Sequence, residues 1–179
     1  MCDLSPASPF AAGSASVRPL GHFGRAVLRC PAASLDLVAE RLGIVLPREA
    51  CRSAMEADVA ALWLGPDEWL LLAADARDDW VATLQARLGD AVCSLVDVSH
   101  RQVALEIAGG RVMAETLLAS GCALDLSLRA FPVGMCTRTM YDKAEIILWR
   151  RAPDRFHLET WRSFARYVEG LLHVAETEA

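Results

Sequence analysis

The stretch from Arg25 to Cys30 alternates strictly, with Ala26, Leu28 and Cys30 on one side and Arg25 and Arg29 on the other. That period predicts a half-buried strand. Pro31 ends it, and Ser34 stands where an N-cap belongs, ahead of a short helix carrying Leu35, Val38 and Leu42 and closed by Gly43. A second apolar run over 59–64 breaks at Gly65-Pro66-Asp67 and resumes as Trp69-Leu70-Leu71-Leu72. This is the pattern of a hairpin: Pro66 suits the first corner of the turn, and Asp67 can bond the backbone within it. Asp78 or Asp79 then caps a helix bearing Trp80, Val81, Leu84 and Leu88, stopped by Gly89.

The same grammar returns in the second half, which marks an internal repeat. Val103, Leu105 and Ile107 alternate as the first strand does, at an offset of 77, and a helix with Met113, Leu117 and Leu118 follows, closed by Gly121. Pro153-Asp154-Arg155-Phe156 matches Pro66-Asp67-Glu68-Trp69 at an offset of 87, and Trp80, Val81 and Leu84 fall on Tyr167, Val168 and Leu171 at that offset. Each half therefore reads strand–helix–hairpin–helix. The expected fold class is α+β, with two pseudo-repeated halves forming mostly antiparallel sheet and helices packed on it. The halves span about 18–90 and 91–173 of a single domain at 18–179, after a flexible tail at 1–17.

The repeat also bears on Asp67 and Glu68, which beside a Trp could pass for an acid/base pair. Only the Pro-Asp-x-aromatic part is shared, since Arg155 stands in place of Glu68. The motif reads as turn chemistry, with Glu68 a surface residue and Trp69 leading a strand into the core.

Composition narrows the functional classes. Hydrophobic residues make up 54 % of the 179 and charged residues 23 %, enough for a packed core. A net charge of −5 gives no electrostatic reason to expect nucleic acid or an anionic membrane. No run approaches the ~18 apolar residues of a membrane span, and no signal segment opens the chain, so it reads as a reduced, cytoplasmic protein. The six cysteines form no CxxC pair and no zinc spacing. The five Trp residues (Trp63, Trp69, Trp80, Trp149, Trp161) sit at apolar periodic positions and read as core. Arg150, Arg151 and Arg155 surround the second hairpin and read as solvated.

Candidate chemistry is sparse. Asp97-Val98-Ser99-His100 holds three residue types of a nucleophilic triad, but neighbours on a strand point to opposite faces, so Ser99 and His100 would not meet. A strand-entry turn is the better reading. His22, His157 and His173 have no partner at metal-ligand spacing. No GxGxxG or GxxxxGK[ST] occurs, so nothing marks a dinucleotide or phosphate cradle.

Three stretches carry a resemblance: WLGPDEWLLLA (63–73), VDVSHRQVALEIAG (96–109) and PDRFHLETWRSFARYVEGLL (153–172). In order and spacing they resemble the aminomethyltransferase (glycine-cleavage T-protein) superfamily, and more closely the gamma-subunit family of heterotetrameric sarcosine oxidases, over roughly residues 18–173. The resemblance implies a subunit of a complex that demethylates sarcosine oxidatively to glycine, hydrogen peroxide and, with tetrahydrofolate, methylenetetrahydrofolate. It implies alpha, beta and delta partner subunits. FAD, FMN, NAD and tetrahydrofolate would be held by those partners and none by this chain. The aminomethyltransferases carry paired aspartates where the second-half strand begins. The corresponding stretch here, 141–146, keeps only Glu145, which alternation turns outward. Catalytic, cofactor and metal residues are accordingly expected to be none. The rival reading is a stand-alone folate-binding aminomethyltransferase-like protein.

Taken with its offsets of 77 and 87, the repeat leaves about nine extra residues around 124–138. That segment is expected to expose Phe131, Pro132, Val133 and Met135 beside Arg129 and Arg138. Phe131, Pro132, Met135 and Arg138 are therefore the candidate partner interface.

Overall fold

Among the described residues, alternation and turn chemistry resolve into ten strands and four α-helices. The strands are β1 (Ala15–Pro19), β2 (Phe23–Arg29), β3 (Ser53–Glu56), β4 (Val59–Gly65), β5 (Glu68–Ala74), β6 (Ser94–Asp97), β7 (Gln102–Gly109), β8 (Cys136–Tyr141), β9 (Ala144–Ala152) and β10 (Arg155–Trp161). The helices are α1 (Leu35–Leu42), α2 (Trp80–Leu88), α3 (Arg111–Ala119) and α4 (Ala165–Glu178). The computed structural model describes residues 15–74 and 76–178. Of the expected tail, 1–14 lies outside the described residues, while 15–17 belongs to β1. No described helix is long and apolar enough to cross a membrane.

The described residues divide into two compact units, 21–100 and 15–20 with 101–178, instead of halves meeting at 90/91. Each unit has its own antiparallel five-stranded sheet. The orders are β3-β4-β5-β2-β6 in the first and β8-β9-β10-β7-β1 in the second, so the two sheets share one topology. Their fifth strands are exchanged along the chain. β6 immediately precedes β7 yet pairs with β2, and β1 precedes β2 yet pairs with β7. β1 lies at a sheet edge, the position that tolerates Pro19, which has no N–H to donate.

In the first unit Ala26, Leu28, Trp69 and Leu71 pack with Val38 and Leu42 of α1 and Leu84 and Leu88 of α2. In the second, Leu105, Ile107, Leu148, Phe156 and Leu158 pack with Leu117 and Leu118 of α3 and Val168 and Leu172 of α4. Gly43 and Gly89 end their helices at φ 66° and 56°, in the positive-φ region that favours glycine.

Hydrogen bonding fixes the repeat more tightly than the letters do. The Cys30 amide donates to the Asp67 carbonyl at 3.1 Å, and the Gly109 amide donates to the Asp154 carbonyl at 3.3 Å. Cys30 and Gly109 are 79 positions apart and Asp67 and Asp154 are 87, so the strand offset is 79 and not 77. Both hairpins also carry a bulge at matched positions, Leu64 in β4 and Arg151 in β9. The eight added residues fall in two places. Ser53 pairs with Leu62 and Cys136 with Trp149, so the β3-to-β8 offset is 83. Four residues thus lengthen the α3–β8 connection, and four lengthen the β8–β9 hairpin.

That lengthened hairpin brings Tyr141 into the core, where its hydroxyl and that of Ser120 are 2.8 Å apart. Gly121 is not the helix stop that the repeat implies; Ser120 takes the C-cap position of α3. A Cβ on Gly121 would lie 2.8 Å from the Tyr141 ring, so glycine is needed there for close approach.

Three further expectations are corrected. Phe131 is 1 % exposed and stacks near Phe156 at 6.3 Å between ring centroids. Met135 is half-buried against the same core, so these two side chains fold inward, while Val133 between them stays 46 % exposed. Arg25 and Arg150 are buried. Arg150 is paired by Nη2 with Glu115 at 2.6 Å and donates from the same nitrogen to the Leu126 carbonyl at 2.7 Å. Trp161 is 42 % exposed, outside either core.

Two stability predictions follow from this packing. Phe131→Ala should cost about 3–5 kcal/mol, the usual range for truncating a buried aromatic. Unchanged urea denaturation would show that the side chain is not in the core. Gly121→Ala should destabilise by about 1–3 kcal/mol through overpacking against Tyr141, and pairing it with Tyr141→Leu should recover part of that loss in a double-mutant cycle.

Candidate functional site

The turn from β6 into β7 holds the residues that most resemble a reactive group. Asp97 Oδ1 accepts from the Ser99 amide at 2.8 Å, which closes an Asx-type turn. The Ser99 hydroxyl oxygen accepts from the Arg25 amide at 3.0 Å, and the Val98 amide donates to the Arg25 carbonyl at 2.9 Å. Ser99 therefore clamps the end of β6 onto β2. Its oxygen is engaged by backbone, and no hydrogen bond joins Ser99 to His100. A nucleophile needs its base within hydrogen-bond reach. The triad reading fails on geometry, as the adjacency of these residues implied.

Beside this turn lies a polar cavity of about 80 Å³ lined by His22, Gly24, Asp78, Trp80, Asp97 and His100, among others. The His22 and His100 ring centroids are 6.4 Å apart. A cavity of this size admits water or a small ion. It is far below the ~300 Å³ at which organic-ligand pockets begin, and so too small for a flavin, dinucleotide or folate. Among the described residues no group of three His, Cys, Asp or Glu could hold a metal ion.

The hairpin residues behave as turn residues. Pro66 and Asp67 form the two-residue link between β4 and β5, and Arg29 Nη2 donates to both carboxylate oxygens of Asp67 at 3.1 Å. Both partners are half exposed, so the pair adds little stability. Trp69 is buried and its indole N–H donates to the Pro47 carbonyl at 2.8 Å. Glu145 is exposed, with its carboxylate 3.9 Å from Arg138 Nε.

Local sequence reading missed a buried polar layer on the second unit's sheet. Glu106 pairs with Arg18 at 2.6 Å and lies 3.8 Å from Arg155. His157 Nε2 lies 2.7 Å from Glu159 Oε1, next to the Trp149 ring. Alternation marks these positions as the far face of the strands, but it carries no sign that this face is buried too. Burial pushes the thiols of Cys30 and Cys93 up, away from the thiolate form. Of the candidate interface residues, Phe131 is core, Pro132 and Met135 are half-buried, and Arg138 is exposed.

Comparison with known proteins places this geometry. A family model for the sarcosine oxidase, gamma subunit family matches residues 29–178. The sarcosine oxidase subunit gamma of Corynebacterium sp. (strain P-1) is 32 % identical over 132 residues. That match covers 73 % of this chain and 64 % of the relative, so the chain spans just under two thirds of that protein's length. The subunit gamma of an Arthrobacter species is 32 % identical over 142 residues, covering 79 % of this chain and 68 % of that one. Among solved structures, a chain of the heterotetrameric sarcosine oxidase from Corynebacterium sp. U-96 superposes with a TM-score of 0.84 at 26 % identity, over 94 % of this chain and 87 % of that one. The glycine cleavage system aminomethyltransferase T from Bartonella henselae shares the fold, with a TM-score of 0.68 at 18 % identity, over 90 % of this chain and 46 % of that one. The fold is thus shared with solved structures, and the chain belongs to the sarcosine oxidase, gamma subunit family.

Proposed function

We propose that the chain serves as a structural, non-catalytic subunit of a sarcosine oxidase complex, beside alpha, beta and delta subunits. The complex converts sarcosine oxidatively to glycine and hydrogen peroxide, with methylenetetrahydrofolate formed when tetrahydrofolate takes the one-carbon unit. FAD, FMN, NAD and tetrahydrofolate belong to the partners. The observation that carries the reading is the engagement of Ser99. The chain's most catalysis-like hydroxyl is bonded to the backbone of β2, and its neighbouring histidine does not reach it. Family membership and the match to a chain of a heterotetrameric oxidase support the assembly part of the proposal.

The purified chain is expected to be colourless, to show no flavin absorbance and to leave sarcosine unoxidised. When co-expressed with a tag, it is expected to bring down flavin-containing partners. Stoichiometric flavin in the isolated, folded chain would overturn the non-catalytic assignment, and a tagged chain that recovers no flavoprotein would overturn the assembly. In the assembled complex Glu68→Gln should leave turnover within about twofold, because a side chain at the mouth of a surface hairpin touches no reacting group. Loss of turnover with unchanged stability would contradict the turn assignment.

A further inference from the structure

One part of the second unit's surface is left over from the fold. Trp161 ends β10 at 42 % exposure, Phe164 is also 42 % exposed, and Tyr167 is 38 % exposed. The three stand three residues apart along the chain. The Phe164 amide donates to the Trp161 carbonyl at 2.8 Å, and the Phe164 carbonyl accepts from the Val168 amide at 3.0 Å as α4 begins. The trio thus runs at three-residue spacing from the end of β10, through the residue before α4, into the first turn of that helix.

Guanidinium groups frame the trio. The Arg101 guanidinium carbon lies 5.5 Å from the Trp161 ring centroid, and the Arg162 amide donates to the Arg101 carbonyl at 2.9 Å. Arg166 sits between Phe164 and Tyr167 in the chain, and all three arginines are exposed. Among the described residues no carboxylate pairs with Arg101 or Arg166. The nearby carboxylate of Asp142 is occupied by the Tyr167 hydroxyl. A chain of net charge −5 therefore presents a local cationic rim around exposed aromatics.

Trp, Tyr and Arg are the residues enriched where protein interfaces concentrate their binding energy. The rim requires carboxylates opposite it, and the aromatic centre requires an apolar surface to cover it. Nucleic acid fits less well, because a phosphate backbone calls for a broad basic surface and the chain as a whole is acidic. We infer that the face built from Arg101, Trp161, Arg162, Phe164, Arg166 and Tyr167 docks onto an acidic-rimmed apolar surface of another subunit of the oxidase. The inference rests on the proposed subunit role and names the side of this chain that meets the partner.

The test uses the tagged full-length chain co-expressed with the remaining subunits, followed by titration of the purified chain onto the complex that lacks it. Trp161→Ala and the double charge reversal Arg101→Glu, Arg166→Glu are each expected to weaken association about tenfold or more. The melting temperature of the charge-reversed chain alone should match that of the unaltered chain. Val112→Ser, at a still more exposed apolar position on α3, should bind as the unaltered chain does. If Trp161→Ala misfolds, the charge-reversed variant decides, since its two substituted side chains take no part in either core. Undiminished association of the charge-reversed variant would overturn the docking face and leave the subunit role intact. Failure of the unaltered chain to associate would overturn the subunit role itself, and the docking face with it. Single-stranded RNA bound by the unaltered chain and lost on charge reversal, without subunit association, would also overturn the docking face.

Discussion

A single guanidinium, wholly out of water, organises the second unit. Arg150 occupies the position that Trp63 holds in the first unit, each placed directly before its bulge residue and opposite an aromatic on the neighbouring strand. In the first unit that contact is Trp63 against Trp69. In the second, the Arg150 guanidinium lies 4.4 Å from the Phe156 ring centroid. Exchanging an indole for a charge creates a cost that burial alone cannot meet. Glu115 supplies the countercharge and the Leu126 carbonyl a further acceptor, while Nε and Nη1 remain without hydrogen-bond partners. The α3–β8 connection is thereby tied to β9. Main-chain bonds from the Gly134 amide to the Arg150 carbonyl and from the Arg150 amide to the Met135 carbonyl, both 2.9 Å, complete the tie. Phe131 enters the core because its flanks are held on both sides.

Other polar residues follow the same logic. Asp67 and Asp154 each accept, at the main-chain carbonyl, from an amide at the end of the adjoining strand, β2 or β7, so the hairpin turn doubles as a clasp. Ser99 spends its hydroxyl on Arg25, and Arg25 in turn donates to the Phe23 carbonyl at 3.1 Å. Side chains that in isolation suggest chemistry are engaged in closing strands that exchange places along the chain.

Much of this was legible in the sequence, and what was missed has physical causes. The hairpins were legible because Pro-Asp turn chemistry and period-two apolar runs coincide there. The strand register was misread by two because Val103, Leu105 and Ile107 are equally apolar, and a slip of two keeps every side chain on its own face. The strands β1, β3 and β6 escaped because they are short and contribute few core residues. β8 escaped because its alternation is mostly polar. Arg25, Arg150, Glu106, His157 and Glu159 were unreadable as buried groups, since local pattern reports a residue's face but not what covers it. The expected exposure of Phe131 failed for a related reason. Length told where residues were added, but four of the eight lengthen a hairpin, and Phe131 is held inward by an arginine from a distant strand. The oxidase chemistry was expected from the resemblance alone.

The central claim is that the segment from Cys122 to Met135 is structural, locked to β9 through Arg150. Native-state hydrogen exchange on the intact protein tests it most directly. The amide of Phe131, bonded to the Ser127 carbonyl at 2.8 Å, and those of Gly134 and Arg150 should be protected together. All three should exchange only through the opening that also releases β9 and β10. Rapid exchange at Phe131 and Gly134 while β9 stays protected would mean that the segment moves independently of the sheet, and would contradict the account.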